Sequence, residues 1–148
     1  MSRISMRIFI INPITKKLLI GKRPKEELFG LPGGWLEMGE EWEDTATREL
    51  KEETGLFIDK SRFKHISTLN CIDLKNDYHS ISCVMYCEIN EFERIKIKNT
   101  EPSKCCGWFW TNFEELNKNF ERLFYPIRTM IKTYDLKDVD DLKKLIKN

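Results

Sequence analysis

The chain has 148 residues with a formal net charge of +1, the size of one ordinary domain and long enough to bury its own core. Near-neutral charge argues against binding through a whole-protein field to nucleic acid or a membrane surface. No apolar run reaches the 18 or so residues a membrane span needs, and the first residues, MSRISMR, lack the apolar stretch and small-residue cleavage site of a secretory signal. Five cysteines, an odd number without a CxxC pair, read as reduced thiols of a cytoplasmic protein.

In chain order, Arg7 to Asn12 and Lys17 to Gly21 read as strands joined by a turn at Asn12-Pro13. Glu26 to Gly34 is a glycine-containing loop, and a helix follows over Trp42 to Thr54, with an acidic first turn and Gly55 as its stop. Phe63 to Asp73 and Ser80 to Ile89 form a hairpin across Lys75-Asn76-Asp77, and Gly107 to Thr111 is a further strand. Phe113 to Asn117, Leu123 to Tyr134 and Asp138 to Ile146 read as helices, the last a solvated amphipathic one that frays at the end. Strands flank a helix and hairpins dominate, so the pattern predicts one domain over residues 1–148 of the α/β (α+β) class with a mixed sheet.

The chemistry concentrates in Gly33 to Leu56, GGWLEMGEEWEDTATRELKEETGL. On the helix, Trp42, Ala46 and Leu50 share an apolar stripe, and Glu49, Glu52 and Glu53 fall within an arc overlapping it. The three carboxylates therefore point toward the protein body. Like charges at these spacings repel, and burial makes the repulsion worse unless a cation compensates. Arg48 can pair with Glu52 but cannot neutralise three acids. Hard oxygen ligands at one point suit Mg²⁺, and the Gly34 carbonyl, in a loop that can approach a ligand closely, adds another. A solvated acid-rich helix after an ordinary glycine turn is the bland alternative.

The full spacing decides between them. Gly34, five residues, Glu40, seven residues, Arg48-Glu49-Leu50, any residue, Glu52-Glu53, any residue, Gly55-Leu56 fills the Nudix box without departure. With each fixed residue at roughly 7%, seven together arise by chance on the order of once in 10⁸ windows. The chain resembles the Nudix hydrolases. The resemblance implies an α/β/α sandwich with a mixed sheet, in which Glu49, Glu52 and Glu53 bind the metal, the Gly34 carbonyl assists, Arg48 orients the glutamates and Glu40 structures the loop or contributes at the metal. It implies Mg²⁺ as cofactor, with Mn²⁺ able to substitute, and leaves open which glutamate is the general base.

Softer segments, GKR at Gly21 to Arg23, LPGGWLEMGE at Leu31 to Glu40, Glu101-Pro102, WFWTNFEEL and LFYPIR, resemble the small MutT-like nucleoside triphosphate diphosphatases. Those hydrolyse (d)NTPs, often oxidised ones such as 8-oxo-dGTP, to monophosphate and pyrophosphate. By this resemblance Lys22 and Arg23 touch phosphates, and Leu31, Trp35, Glu101, Phe124 and Tyr125 belong to the substrate side, Glu101 as a further acid. It also implies a small-molecule nucleotide as partner and a homodimer, without a membrane or stable nucleic-acid partner. Trp35 and Gly30 stand where polar or basic residues are common in relatives, which leaves base preference open. Trp108 and Trp110 share a face of one strand and read as core. The alternatives are a pyrophosphatase of ADP-ribose or another nucleoside diphosphate derivative, a decapping enzyme, against which the lack of a basic tract counts, and a catalytically silent binding module, against which the complete acid set counts.

Overall fold

The computed structural model describes residues 3–147. Strand β1 (Arg3–Asn12) is the spine of a seven-stranded mixed sheet. It runs parallel to β6 (Tyr78–Glu88) along Arg3 to Ile11, and β6 pairs antiparallel with β5 (Lys64–Asp73). On its other side β1 has two neighbours. Its C-terminal end pairs with β2 (Lys17–Lys22) at Ile11↔Leu18, whereas its N-terminal half pairs with the short β4 (Gly33–Trp35) at Ser5 to Arg7. Beyond that fork β2 leaves β1 and pairs with β3 (Phe29–Gly30) and β7 (Trp108–Thr111). The fork opens a gap in the sheet, along which the candidate site lies.

Side chains alternate across a strand, so each face of β1 carries its own core. Met6, Ile8 and Ile10 face helix α1 (Trp42–Thr54), which buries Ala46 and Leu50 against them. Phe9 and Ile11 face the opposite layer, α3 (Phe113–Lys118), α4 (Tyr125–Tyr134) and α5 (Val139–Lys143), through Leu116, Ile127, Met130 and Leu142. Each fully buried side chain of this size contributes roughly 1.5–3 kcal/mol. The result is the α/β/α sandwich with a mixed sheet.

Helix α1 spans the expected residues and ends on Gly55, left-handed at φ 76°, whose N–H donates to the Lys51 carbonyl at 2.9 Å. Several expectations need correction. β1 starts at Arg3 rather than Arg7, because its N-terminal half gains β4 and β6 as partners. The loop over residues 26–34 contains β3 and the start of β4. α2 (Glu91–Arg94), capped by the Asn90 side chain on the Glu93 N–H, was not expected. α4 begins at Tyr125, not Leu123, and Phe124 is its extended N-cap residue. The last helix is shorter than 138–146 and anchored through buried Val139 and Leu142. Trp42, expected on the apolar stripe, is exposed and packs its ring against His65 at 4.9 Å. No helix among the described residues is long and apolar enough to cross a membrane. All five cysteines are free thiols.

Candidate active site

Helix α1 delivers two acids into the gap. Glu49 and Glu53, one turn apart, are 5% and 7% exposed. The third, Glu52, was expected to point inward with them. Its side chain is instead 46% exposed and turned to Arg48, 3.3 Å away, because its position is rotated from the Glu49/Glu53 column toward solvent.

Arg48 is the hub of the rim. Its Nε and Nη2 donate to the two Glu40 oxygens at 2.7 and 3.0 Å, its Nη1 to Glu49 Oε1 at 2.7 Å, and its Nη2 also to the Trp35 carbonyl at 3.1 Å. The guanidinium beside Glu40 holds that carboxyl down to about 2, with the Glu37 N–H and the Thr45 hydroxyl adding to the effect. Glu40 thus braces the loop and Arg48, one of the two roles the motif allowed it.

The glycines are explained by close approach. A Cβ on Gly34 would lie 2.5 Å from the Glu49 carboxylate, so the acid rests directly on this backbone. Gly33 has φ 153°, and a Cβ there would meet the Met6 carbonyl oxygen at 1.9 Å. The Gly33 N–H donates to Glu53 Oε2 at 3.2 Å. Even so, burial pushes Glu53 up to about 8, and the neighbouring charges of Glu49 and Glu101 push the same way against the Gly33 hydrogen bond and Arg7.

Two acceptors here are buried without a partner among the described residues, Glu49 Oε2 and Glu101 Oε1. Orphaned carboxylate oxygens next to an elevated carboxyl and an open glycine backbone fit a hard divalent cation. As they stand, no three acid, His or Cys side chains among the described residues converge on one point. The fit rests on Glu49, Glu53 and the Gly34 backbone, with Glu52 at the rim.

Beyond the acids a cavity of about 730 Å³ runs along the gap, and every substrate-side candidate lines it. Lys22 ends β2 on one wall. Arg23 pairs with Glu26 at 3.1 Å and lies over the Phe124 ring at 4.0 Å. Leu31 is buried. Trp35 is half-buried with the Arg3 guanidinium 4.1 Å over its ring. Glu101 pairs with Lys104 at 3.5 Å. At the far end Tyr125 is half-buried 4.6 Å from Tyr78, whereas Phe124 is 4% exposed, enclosed by Tyr78, Tyr125 and Arg23. Tyr125 therefore offers the more open face. Trp108 and Trp110 pack on the α1-side core as expected, and Trp108 Nε1 also donates to the Glu53 carbonyl at 3.1 Å, steadying the helix end that carries this acid.

Sequence reasoning missed Arg7 and Tyr78. Both line the cavity, Arg7 at its floor. The available signal was an arginine alternating with Phe9 and Ile11 on a core-facing side of an apolar strand.

A NUDIX domain model matches residues 1–133. An ADP-ribose pyrophosphatase of Methanocaldococcus jannaschii is 49% identical over 49 residues, covering 32% of this chain and 29% of that protein, so the match spans under a third of the curated relative's length. The crystal structure of a MutT NUDIX hydrolase from Burkholderia pseudomallei is similar at TM-score 0.63 and 25% identity, over 74% of this chain and 82% of that one. A bifunctional NMN adenylyltransferase/ADP ribose pyrophosphatase from Francisella tularensis, complexed with AMP and a Mn ion, shares the fold at TM-score 0.67 and 18% identity, over 90% of this chain and 42% of that one. With a family model spanning residues 1–133 and a box filled at every fixed position, this chain belongs to the Nudix hydrolase family.

Proposed function

We propose that the chain hydrolyses a phosphoanhydride bond of a nucleoside triphosphate, giving the monophosphate and pyrophosphate, with Mg²⁺ as cofactor and Mn²⁺ able to replace it. One observation carries the reading: a buried acid pair with an orphaned oxygen stands at one end of a single cavity, and aromatic rings with cationic side chains stand along the rest of it. A nucleotide has the same layout, a polyanionic chain joined to a flat base. The Mn ion named with the Francisella structure supports a divalent metal.

Glu49, Glu53 and the Gly34 carbonyl would hold the metal. When bound, it neutralises phosphate oxygens and makes water a better nucleophile. Arg48 fixes Glu49 Oε1, which leaves Oε2 as the free acceptor for the cation or for a proton from the attacking water. Lys22 and Arg23 line the same cavity and offer positive charge to the phosphate chain. Tyr125 and Tyr78 flank the base, and Trp35 stacks near the cavity mouth.

A second reading has its own support. The Methanocaldococcus relative is named for ADP-ribose, whose two phosphates join an adenosine to a second ribose and so present the same anionic chain beside a flat base. A nucleotide panel with Mg²⁺, its products separated by chromatography, decides between them. Monophosphate and pyrophosphate from a triphosphate is the expected result. Orthophosphate as primary product, or faster turnover of ADP-ribose than of every triphosphate, overturns it.

A further inference from the structure

Arg7 is the least explained charge in the molecule. It is 4% exposed, and its Nε has no hydrogen-bond partner among the described residues. A buried guanidinium left this way is costly, and structures tolerate such a group where a ligand completes it.

Its place in the fold says which part of a ligand. Strand alternation puts Arg7 on the face of β1 that carries Phe9 and Ile11, the face covered by α4. The acids come from α1, which packs on the opposite face. Arg7 accordingly lines the cavity on the aromatic side, 5.2 Å from the Phe124 ring, while its charge still reaches Glu53 and Glu49. Hydroxyls on the same face of the sheet, the serines buried, link to one another: Tyr78 Oη with Ser80 at 2.9 Å, Ser80 with Ser82 at 3.1 Å, and Ser82 with Ser5 at 2.9 Å. These hydroxyls are linked to one another, and the Arg7 Nε is a buried donor left without a partner among the described residues.

We infer that Arg7 is a specificity-determining residue whose planar fork donates to a base presenting two adjacent acceptors on one edge, a 6-oxopurine with its O6 and N7. The inference rests on the nucleoside triphosphate reading above. The guanidinium fork matches that pair, whereas adenine offers a donor at position 6. Oxidation at C8 places a hydrogen on N7, so the same fork disfavours 8-oxopurines.

The test measures kcat/KM for GTP, ITP, ATP, CTP, 7-deaza-GTP and 8-oxo-GTP with wild type, Arg7→Met and Arg7→Lys. Wild type is expected to favour GTP and ITP over ATP and CTP, and to lose roughly tenfold on 7-deaza-GTP. Arg7→Met should lower GTP and ITP turnover by roughly 5- to 150-fold and bring the GTP:ATP ratio toward one. The 7-deaza penalty should vanish with it, a change that a purely structural role would not produce. Arg7→Lys, which keeps the charge without the fork, should resemble Arg7→Met. An equal loss on all six nucleotides would assign Arg7 to the phosphates and overturn the inference. So would a wild type without base preference, or one faster on 8-oxo-GTP than on GTP. The wild-type comparisons stand even if a variant folds poorly. Absence of turnover on every triphosphate is the separate failure of the functional reading, and removes the inference with it.

Discussion

Replacing Glu53 with Gln should make the metal-free protein more stable at alkaline pH while destroying its activity. Burial raises the Glu53 carboxyl from its ordinary value near 4.5 to about 8. The folded state therefore keeps a proton that the unfolded state has already released. Stability changes with pH as the unfolded minus the folded proton count, which is negative in this window. The contribution is fully present below about pH 4.5, declines through neutrality and is gone above about pH 8. Each tenfold gain in proton affinity on folding corresponds to about 1.4 kcal/mol, so the total decline is on the order of 5 kcal/mol. For a domain of this size that is about 10–20 °C in melting temperature. Glutamine keeps the shape and an acceptor for the Gly33 N–H but has nothing to ionise. Melting curves in EDTA at pH 5, 6.5 and 8 should fall for wild type and lose this component in Glu53→Gln, the variant melting higher at pH 8. Saturating Mg²⁺ should restore the wild type at pH 8, by roughly 2.7 kcal/mol at a hundredfold excess over Kd, and leave the variant largely unmoved. Turnover should drop by several orders of magnitude in the folded variant. Parallel wild-type and variant curves from pH 5 to 8, or near-normal turnover by Glu53→Gln, would refute the reasoning.

Gly34→Ala puts a Cβ 2.5 Å from the Glu49 carboxylate, and should cost roughly 1–3 kcal/mol by thermal melting and at least about a hundredfold in Mg²⁺-dependent turnover. Arg48→Ala releases Glu40, whose carboxyl Arg48 holds near 2. Wild-type stability from this pair is present above about pH 4.5 and lost as pH falls toward 2, so the variant should lack that acid-side decline in a denaturation series. Tyr125→Ala removes an open aromatic face, and steady-state kinetics should show KM for the best nucleotide rising roughly 5- to 150-fold with metal dependence unchanged. A lowered melting temperature with unchanged KM would make Tyr125 a packing residue instead.

The box was legible because its chemistry is local. One helix with a glycine stop sets the relative positions of Arg48, Glu49 and Glu53, and α1 has the boundaries its first-turn acids and Gly55 imply. The Arg48–Glu52 pair was legible from their i,i+4 spacing, but Glu52 lies at the edge of the acid arc, and it is this angle that turns it to solvent while Arg48 is held by Glu40. Arg7 looked like the polar end of a strand starting there. Only the pairing of Arg3 to Met6 with β4 and β6 reveals it as an interior position. Tyr78 follows the turn Lys75-Asn76-Asp77 directly, where turn chemistry masks strand character, yet β6 begins at Tyr78 and its ring lies 4.6 Å from Tyr125. Phe124 and Tyr125 were read as one helix. An extended Phe124 before α4 separates the two, turning one ring into the interior and leaving the other partly open.

The two ends of the cavity carry opposite, separately unfavourable charge. Glu49, Glu53 and Glu101 repel one another beneath Gly33 and Gly34, while Arg7 and Arg23 crowd the same Phe124 ring. The Arg7 charge reaches Glu53 but forms no ion pair with it, because the acids arrive from the α1 face of the sheet and Arg7 from the α4 face, so the two ends cancel only in part. A cation alone would relieve only the acid end, and an uncharged base alone would satisfy only the donors of the other. A polyphosphate with its metal spans both, bringing positive charge to the carboxylates and acceptor oxygens to the arginines. Local frustration left by a fold is relieved by a ligand of matching layout, so metal and nucleotide should bind cooperatively. Titration calorimetry with a non-hydrolysable triphosphate, with and without Mg²⁺, reads this directly: nucleotide affinity should rise with metal, and metal affinity by the same factor with nucleotide. Affinities that the Mg²⁺ complex fails to improve would mean the two ends act independently, and the charge separation would then need a different explanation.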